Sequence, residues 1–339
     1  MGGNFLGEEK VLVGVDIGGT KTAVALSREL PQVSSRIEFP TIPQAGPDQA
    51  IEKIITGIEE LLAGSHIKIR NVAAIGISCG GPLDRHRGVI QSPPNLTTWV
   101  DVPIVKILGE HFGVACHLEN DANAGAVAEH RFGAGRGAKN MIFLTMGTGL
   151  GAGLILNGQL YRGSGDMAGE FGHVLLTAIG PVGHNKAGSV EGWASGGGMT
   201  QAALQYVQTA TQNGISTQLS QFAQEGTLTP RHIAAAAADG DAVAKEIVEA
   251  TGERLGEALA ILVDVLNPEC IVMGGLAMRL GDSLLRPARA AMKREALPAA
   301  IHGCRLVPAA LGESIGDVAA LCVAIGLSMP QLYSEPVQQ

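Results

Sequence analysis

Several stretches of this sequence hold residue types that could do chemistry together. Within residues 141–156 an apolar run gives way to glycines at 147, 149, 151 and 153, with Thr148 adding a hydroxyl, before apolar residues resume at 154–156. Glycines at that density let backbone N–H groups approach an anion closely, as phosphate cradles do. A second Gly/Thr turn, Asp16-Ile-Gly-Gly-Thr-Lys-Thr, lies between apolar runs at 11–15 and 23–26. It adds a carboxylate suited to Mg2+ and an ammonium suited to a phosphate oxygen. Asp16, Gly18, Gly19, Thr20 and Lys21 in one turn, and Gly147, Thr148, Gly149 and Gly151 in the other, are therefore candidate phosphate ligands.

A third stretch, Glu119-Asn120-Asp121, follows an apolar run at 114–118. By itself Asp121 reads as a helix N-cap. A carboxylate at a strand end is also where a general base belongs, taking a proton from a hydroxyl that attacks phosphorus. Asn120 can both donate to and accept from hydroxyls. Glu170 and His173 lie three apart in Gly169-Glu-Phe-Gly-His, and Glu191 precedes Gly192-Trp193. Taken singly, His173 reads as a structural histidine and Glu191 as a surface acid. The two glycine turns fit neither common nucleotide motif. Lys21 stands one place late for a P-loop, residues 147–153 miss G-x-G-x-x-G, and a strand follows each turn where those motifs need a helix.

The elements that must position these residues read as alternating strands and helices. The pattern predicts strands at 11–15, 23–26, 36–39, 72–78, 114–118, 141–144, 154–156, 270–273 and 306–308. Asn157-Gly158 marks a two-residue hairpin. Helices are predicted at 47–62, where Ile51, Ile54, Ile55, Ile58, Leu61 and Leu62 recur at helical spacing, and at 104–112 and 122–131. Further helices are predicted at 195–207, about 216–225, 234–238, 241–266 (stopped by Asn267-Pro268), 286–295 and 315–327. Residues 11–26 and 142–156 share a strand, turn, strand plan, which suggests two domains of related topology, each offering one loop to grip a polyphosphate.

The 339 residues are enough for two domains, and a hydrophobic fraction of 46% fits a globular chain. A formal charge of -8 argues against nucleic acid as the main partner. No apolar run reaches the roughly 18 residues of a membrane span, and the short N-terminal stretch does not look like a signal peptide. Five scattered cysteines without a C-x-x-C pair fit a reduced, cytoplasmic protein. Trp99 and Trp193 are expected in the core.

Taken in order, Val15-Asp-Ile-Gly-Gly-Thr-Lys, Asn95 to Trp99, Glu119-Asn-Asp-Ala-Asn, Gly147-Thr-Gly-Leu-Gly-Ala-Gly, Gly169-Glu-Phe-Gly-His, Glu191-Gly-Trp-Ala-Ser-Gly and Val272-Met-Gly-Gly resemble the ROK family of sugar kinases and sugar-responsive repressors. The resemblance covers about residues 11–327. It implies a two-domain α/β, actin-like ATPase (ribonuclease H-like) fold with an inter-domain cleft. Residues 1–122 would form one domain, with a helix at 315–330 packing back on it, and 123–314 the other. It further implies Asp121 as the base, with Gly81, Asn95, Asn120, Asp121, Glu170, His173 and Glu191 at the sugar. The turns at 14–21 and 147–154 would hold the ATP phosphates, and Gly274 and Gly275 would lie by the adenosine.

The resemblance implies ATP and Mg2+ as cofactors, a sugar as the small-molecule partner and a homodimer. The expected activity is ATP-dependent phosphorylation of a hexose or N-acetylhexosamine, glucose-type and at C6, with polyphosphate left open as donor. The alternatives are a sugar-binding or regulatory protein without kinase activity, and a repressor. Only ten residues precede Val11, too few for a helix-turn-helix domain, which sets the repressor low.

One segment departs from the family. Members with a structural zinc carry three cysteines after Gly-His, and the corresponding residues here are Val182, His184 and Ser189. Valine cannot ligate, and zinc wants four N, S or O donors, so no family-type metal is expected. That loss also removes the usual support of His173.

Overall fold

The computed structural model describes residues 10–326; the expectations for residues 1–9 and 327–330 lie outside them. The chain divides into two compact units. Among the described residues, one holds those up to Gly137, Gly158–Leu160 and Leu311 to Gly326; the other holds Ala138–Asn157 and Tyr161–Ala310.

In the first unit the strands are β1 (Val11–Ile17), β2 (Lys21–Ser27), β3 (Ser35–Pro40), β4 (Val72–Cys79), a small ribbon of β5 (Leu83–Asp84) and β6 (Val89–Ile90), and β7 (Cys116–Asn120). The helices are α1 (Pro47–Gly64), α2 (Ile104–Phe112) and α3 (Asp121–Phe132). A five-stranded sheet runs β3-β2-β1-β4-β7. Its interior strands are apolar almost throughout because both faces are covered, whereas edge strand β3 alternates. Helix α1 lays Ile51, Ile54, Ile58 and Leu62 into the core, as its spacing predicts.

The second half of the chain has β8 (Met141–Met146), β9 (Leu150–Leu156), β10 (Gln159–Tyr161), the hairpin strands β11 (Val182–Gly183) and β12 (Lys186–Ala187), α4 (Val190–Ala194), α5 (Gly196–Gln212), α6 (Ser220–Gln224), α7 (Pro230–Ala238) and α8 (Ala242–Leu266). It continues with β13 (Cys270–Gly275), α9 (Leu276–Leu280), α10 (Asp282–Glu295), α11 (Pro298–Ile301) and β14 (Arg305–Pro308). Its sheet runs β10-β9-β8-β13-β14, the same order of antiparallel hairpin and parallel neighbours as in the first unit. Helix α8 starts on the Asp241 carboxylate, which accepts from Ala244 N at 2.9 Å, and ends with Asn267 in the left-handed region before Pro268.

The last helix, α12 (Ile315–Gly326), packs on β1, β4 and α3 of the first unit. It approaches the sheet so closely that a Cβ at Gly14 would stand 2.9 Å from Leu321, and one at Gly76 would collide with the Ala320 and Ala324 backbone. Gly14 is thus a strand residue needed for docking α12, not part of the turn to which it was assigned. Burying Leu321 alone contributes roughly 1.5–3 kcal/mol.

Several boundaries differ from expectation. The first unit extends past 122 because α3 packs against α12. Residues 151 and 153 belong to β9, paired with Thr145 and Phe143, so the glycine turn shrinks to 147–149. Helix α10 begins at Asp282, four residues before Arg286. Pro287 sits inside it, with its ring against Gly252 of α8, and so does not mark the start that its usual behaviour suggests.

Candidate active site

In the first unit, β1 carries Asp16 to the end of the sheet, in register with Ser78 of β4. The chain reverses through Gly18-Gly19-Thr20, closed by a hydrogen bond from Gly18 N to Lys21 O at 3.0 Å. A Cβ at Gly19 would come within 2.5 Å of Asn95 Cβ, so Asn95 lies directly against this turn. Asp16 has its carboxyl pushed up to about 7, first by burial, then by the neighbouring charges of Asp121 and Asp317; Lys21 and the Ser78 hydroxyl oppose the rise.

Lys21 Nζ is 2.8 Å from Glu38 Oε2, and Arg36 Nε is 2.7 Å from Asp317 Oδ2 while its NH2 group also meets Glu38. Hydrogen bonds from Lys21 and Arg36 hold the Glu38 carboxyl down at about 2. Asp317 stays above the usual carboxylate range because burial outweighs Arg36. Sequence reading assigned no role to Arg36, Glu38 or Asp317, since nothing in the spacing links positions so far apart.

Asp121 is the first residue of α3, directly after β7. The cap belongs to Asn120, not to Asp121: Asn120 Oδ1 accepts from Ala122 N at 3.0 Å and Asn123 N at 3.3 Å. Asp121 Oδ1 accepts from Ala122 N at 2.8 Å and its residue stays solvent-exposed, yet desolvation by the surrounding protein holds its carboxyl above the ordinary value. Glu119 is buried and fastens Asn123 Nδ2 at 3.1 Å, a structural role. Gly81 lies beside the Asn120 amide, at 3.4 Å from a notional Cβ. The Cys79 thiol, buried beside Asp16 and Asp121, is pushed well up and so kept protonated.

In the second unit, Gly147 N donates to Gly149 O at 2.9 Å, closing the β8–β9 turn. The N-terminus of α5 abuts it, with Gly196 N on Gly147 O at 2.8 Å and Gly197 N on Thr148 O at 3.1 Å. Ser195 caps α5 through Gly198 N at 3.0 Å. The signal for this was Ser195-Gly-Gly-Gly, read only as a helix start. Glu191, from the short helix α4 that the sequence did not reveal, accepts from Leu150 N through Oε2 at 3.0 Å. It is therefore more than the surface acid it resembles in isolation.

Glu170 and His173 are both exposed around a short helical turn, where His173 N donates to Glu170 O at 3.1 Å. Gly274 packs beside the Phe143 ring, and Gly275 turns from β13 into α9 at φ 67. Trp99 is fully buried, as expected. Trp193 is only partly so: its indole N–H donates to Thr177 Oγ1 at 2.6 Å and Arg254 lies 5.0 Å over its ring.

The ROK family model matches residues 12–326. A glucokinase of Halalkalibacterium halodurans is 34% identical over 308 residues, covering 90% of this chain and 92% of the relative. The chain belongs to the ROK family. A crystal structure of a ROK family glucokinase from Streptomyces griseus, in complex with glucose and AMPPNP, superposes with a TM-score of 0.79 at 30% identity, covering 93% of this chain and 99% of that one. A xylose repressor of Caldicellulosiruptor bescii is 27% identical over 94% of this chain and 80% of its own length. The fold is accordingly the two-domain α/β, actin-like ATPase type, as the resemblance implied.

The zinc-bearing pattern of some ROK members finds no fit in these residues. Val182 has no donor side chain, and the Ser189 hydroxyl is buried and already accepts from Gly192 N at 3.1 Å. His173 and His184 stand with ring centroids 6.1 Å apart. Two imidazoles fall short of the four donors that zinc wants.

Proposed function

We propose that this ROK protein is an ATP-dependent sugar kinase that phosphorylates a hexose or N-acetylhexosamine, glucose-type and at the C6 hydroxyl. The observation that carries the reading is Asp121: a carboxylate at the head of α3, directly after β7, held above its ordinary pKa by desolvation, in a chain 34% identical to a glucokinase. A base of raised affinity for protons suits the removal of a sugar O–H proton. The proton passes to Asp121, the sugar oxygen bonds to the γ-phosphorus, and the bond to the β-phosphate oxygen breaks to release ADP.

Asp16 fits a divalent cation, because a carboxyl raised by burial and then by two neighbouring carboxylates gains from a compensating positive charge. Mg2+ there supplies charge neutralisation on the phosphates. Gly18, Gly19, Thr20, Lys21, Gly147, Thr148, Gly149 and Gly151 are assigned to the phosphates, and Gly274 and Gly275 to the adenosine. Gly81, Asn95, Asn120, Glu170, His173 and Glu191 select the sugar. Lys21 must exchange Glu38 for phosphate to take this part.

A homodimer in the cytoplasm, using sugar and ATP and not nucleic acid or membrane, completes the reading. A net charge of -8 argues against nucleic acid as the partner, and among the described residues no helix is long and apolar enough to cross a membrane. The xylose repressor relative favours a second reading, a sugar-responsive protein without kinase activity. ADP release from Mg-ATP over a sugar panel, with the phosphorylated product identified by 31P NMR, decides between them. A 6-phosphate of one hexose supports the kinase; calorimetric sugar binding without ADP release supports the alternative. Light scattering checks the dimer.

A further inference from the structure

We propose that the β11–β12 hairpin is a metal-free clip, in which Gln201, Ser189 and Lys186 are positioning residues for Glu191 and His173. The inference rests on the reading of Glu191 and His173 as sugar-binding residues. The hairpin needs outside support. It has only two residue pairs, Val182↔Ala187 and Gly183↔Lys186, and its turn residues His184 and Asn185 lie at φ 43 and 62. A ribbon that short does not hold its shape alone, and a left-handed histidine adds strain.

Three side chains supply the support. Gln201, projecting from α5, meets the Val182 peptide with both ends of its carboxamide: Val182 N donates to Oε1 at 3.0 Å and Nε2 donates to Val182 O at 2.8 Å. The amide thereby takes the place of a neighbouring strand. Ser189, fully buried, donates to Gly183 O at 3.5 Å and accepts from Gly192 N at 3.1 Å, tying the hairpin to the first turn of α4, which carries Glu191. Lys186 Nζ donates to His173 O at 2.7 Å. Glu191 then reaches Leu150 N, so the hairpin's position is passed on to the glycine turn. Two of the positions that are cysteines in zinc-bearing relatives take part by other means, Val182 through its backbone and Ser189 through its hydroxyl.

The test uses the full chain, purified without tag or chelator, as wild type, Gln201→Ala, and Gln201→Ala combined with V182C/H184C/S189C. Metal content, sugar affinity by calorimetry, KM and kcat, and the rate of protease cleavage within 182–188 are measured. The expected result is substoichiometric zinc in the wild type and, for Gln201→Ala, a sugar KM and Kd raised about five- to tenfold, the scale of losing one or two hydrogen bonds. Its ATP KM rises less than its sugar KM, its kcat stays near wild type, and hairpin cleavage accelerates. Zinc added to the cysteine-bearing variant should restore sugar affinity and protection. Stoichiometric zinc in the wild type overturns the proposal. So does a Gln201→Ala protein with unchanged sugar affinity and cleavage, or one that loses kcat alone. A wild type that binds sugar but releases no ADP overturns the kinase reading and leaves the clip to be judged on affinity and cleavage.

Discussion

The β1–β2 turn and the β8–β9 turn are built on one plan and have diverged in charge. Both join an antiparallel hairpin at the centre of a five-stranded sheet of the same strand order. The first is lined with ionisable groups: Asp16 at its entrance and Lys21 at its exit, with Lys21 bound into a chain through Glu38 and Arg36 to Asp317. The second has glycine and threonine only, and a charged residue, Glu191, arrives from α4 to hold Leu150 N. The difference teaches that a duplicated frame can divide its labour. One turn tunes charge through side chains, while the other offers backbone and depends on a distant carboxylate for its shape.

Substitutions on the charged side should have the largest effects on rate. Replacing Asp16 by Ala is expected to lower kcat/KM by about a hundredfold or more, since a cation site is worth several kcal/mol and each 1.36 is tenfold. Steady-state kinetics over a Mg2+ titration check this, and wild-type kinetics at every Mg2+ level would break the contrast between the turns. On the glycine side, Glu191→Ala should raise the KM for ATP as well as for sugar, by roughly tenfold. That is the scale of a hydrogen bond to a charged acceptor. A change confined to sugar would show that Glu191 does not shape the β8–β9 turn.

The pH behaviour is a sharper probe of the same comparison. Asp16 is raised from 3.8 to about 7, so the folded chain holds its proton more tightly than the unfolded chain. The associated stability is fully present below about pH 4 and is lost as pH rises through about 7. Asp16→Asn should therefore raise the melting temperature in cation-free buffer at pH 8 and leave it nearly unchanged at pH 4, as read by calorimetry. Each kcal/mol relieved corresponds to roughly 2–4 °C. Activity that needs ionised Asp16 should fall as pH drops through about 7. The smallest effect on stability is expected from Lys21→Met. An exposed pair with Glu38 is worth about 1 kcal/mol or less, so stability should barely move, while loss of the ammonium shifts the acid limb of the rate profile upward.

Much of this was legible in the sequence wherever a short-range pattern carries the physics. The buried strands of both sheets, the amphipathic face of α1, the Asn267-Pro268 stop and the ordered motifs that place the chain in the ROK family all depend on neighbours in the sequence. What stayed hidden depends on contacts made after folding. The role of Gly14 is set by a helix some three hundred residues on, and α4 is too short for its pattern to register. Asp317 looks like an ordinary first-turn acid until Arg36 is found beside it. Asp121 reads as a cap because aspartate usually is one; only the hydrogen bonds from Ala122 N and Asn123 N to Asn120 Oδ1 show that Asn120 does that work.

The central claim is that Asp121 is the base of a sugar kinase, and turnover of Asp121→Asn against wild type tests it most directly. ADP release with Mg-ATP and the accepted sugar should fall by about 10²- to 10⁴-fold, while calorimetry shows sugar still bound. A folded Asp121→Asn protein that turns over at near wild-type rate would contradict the account.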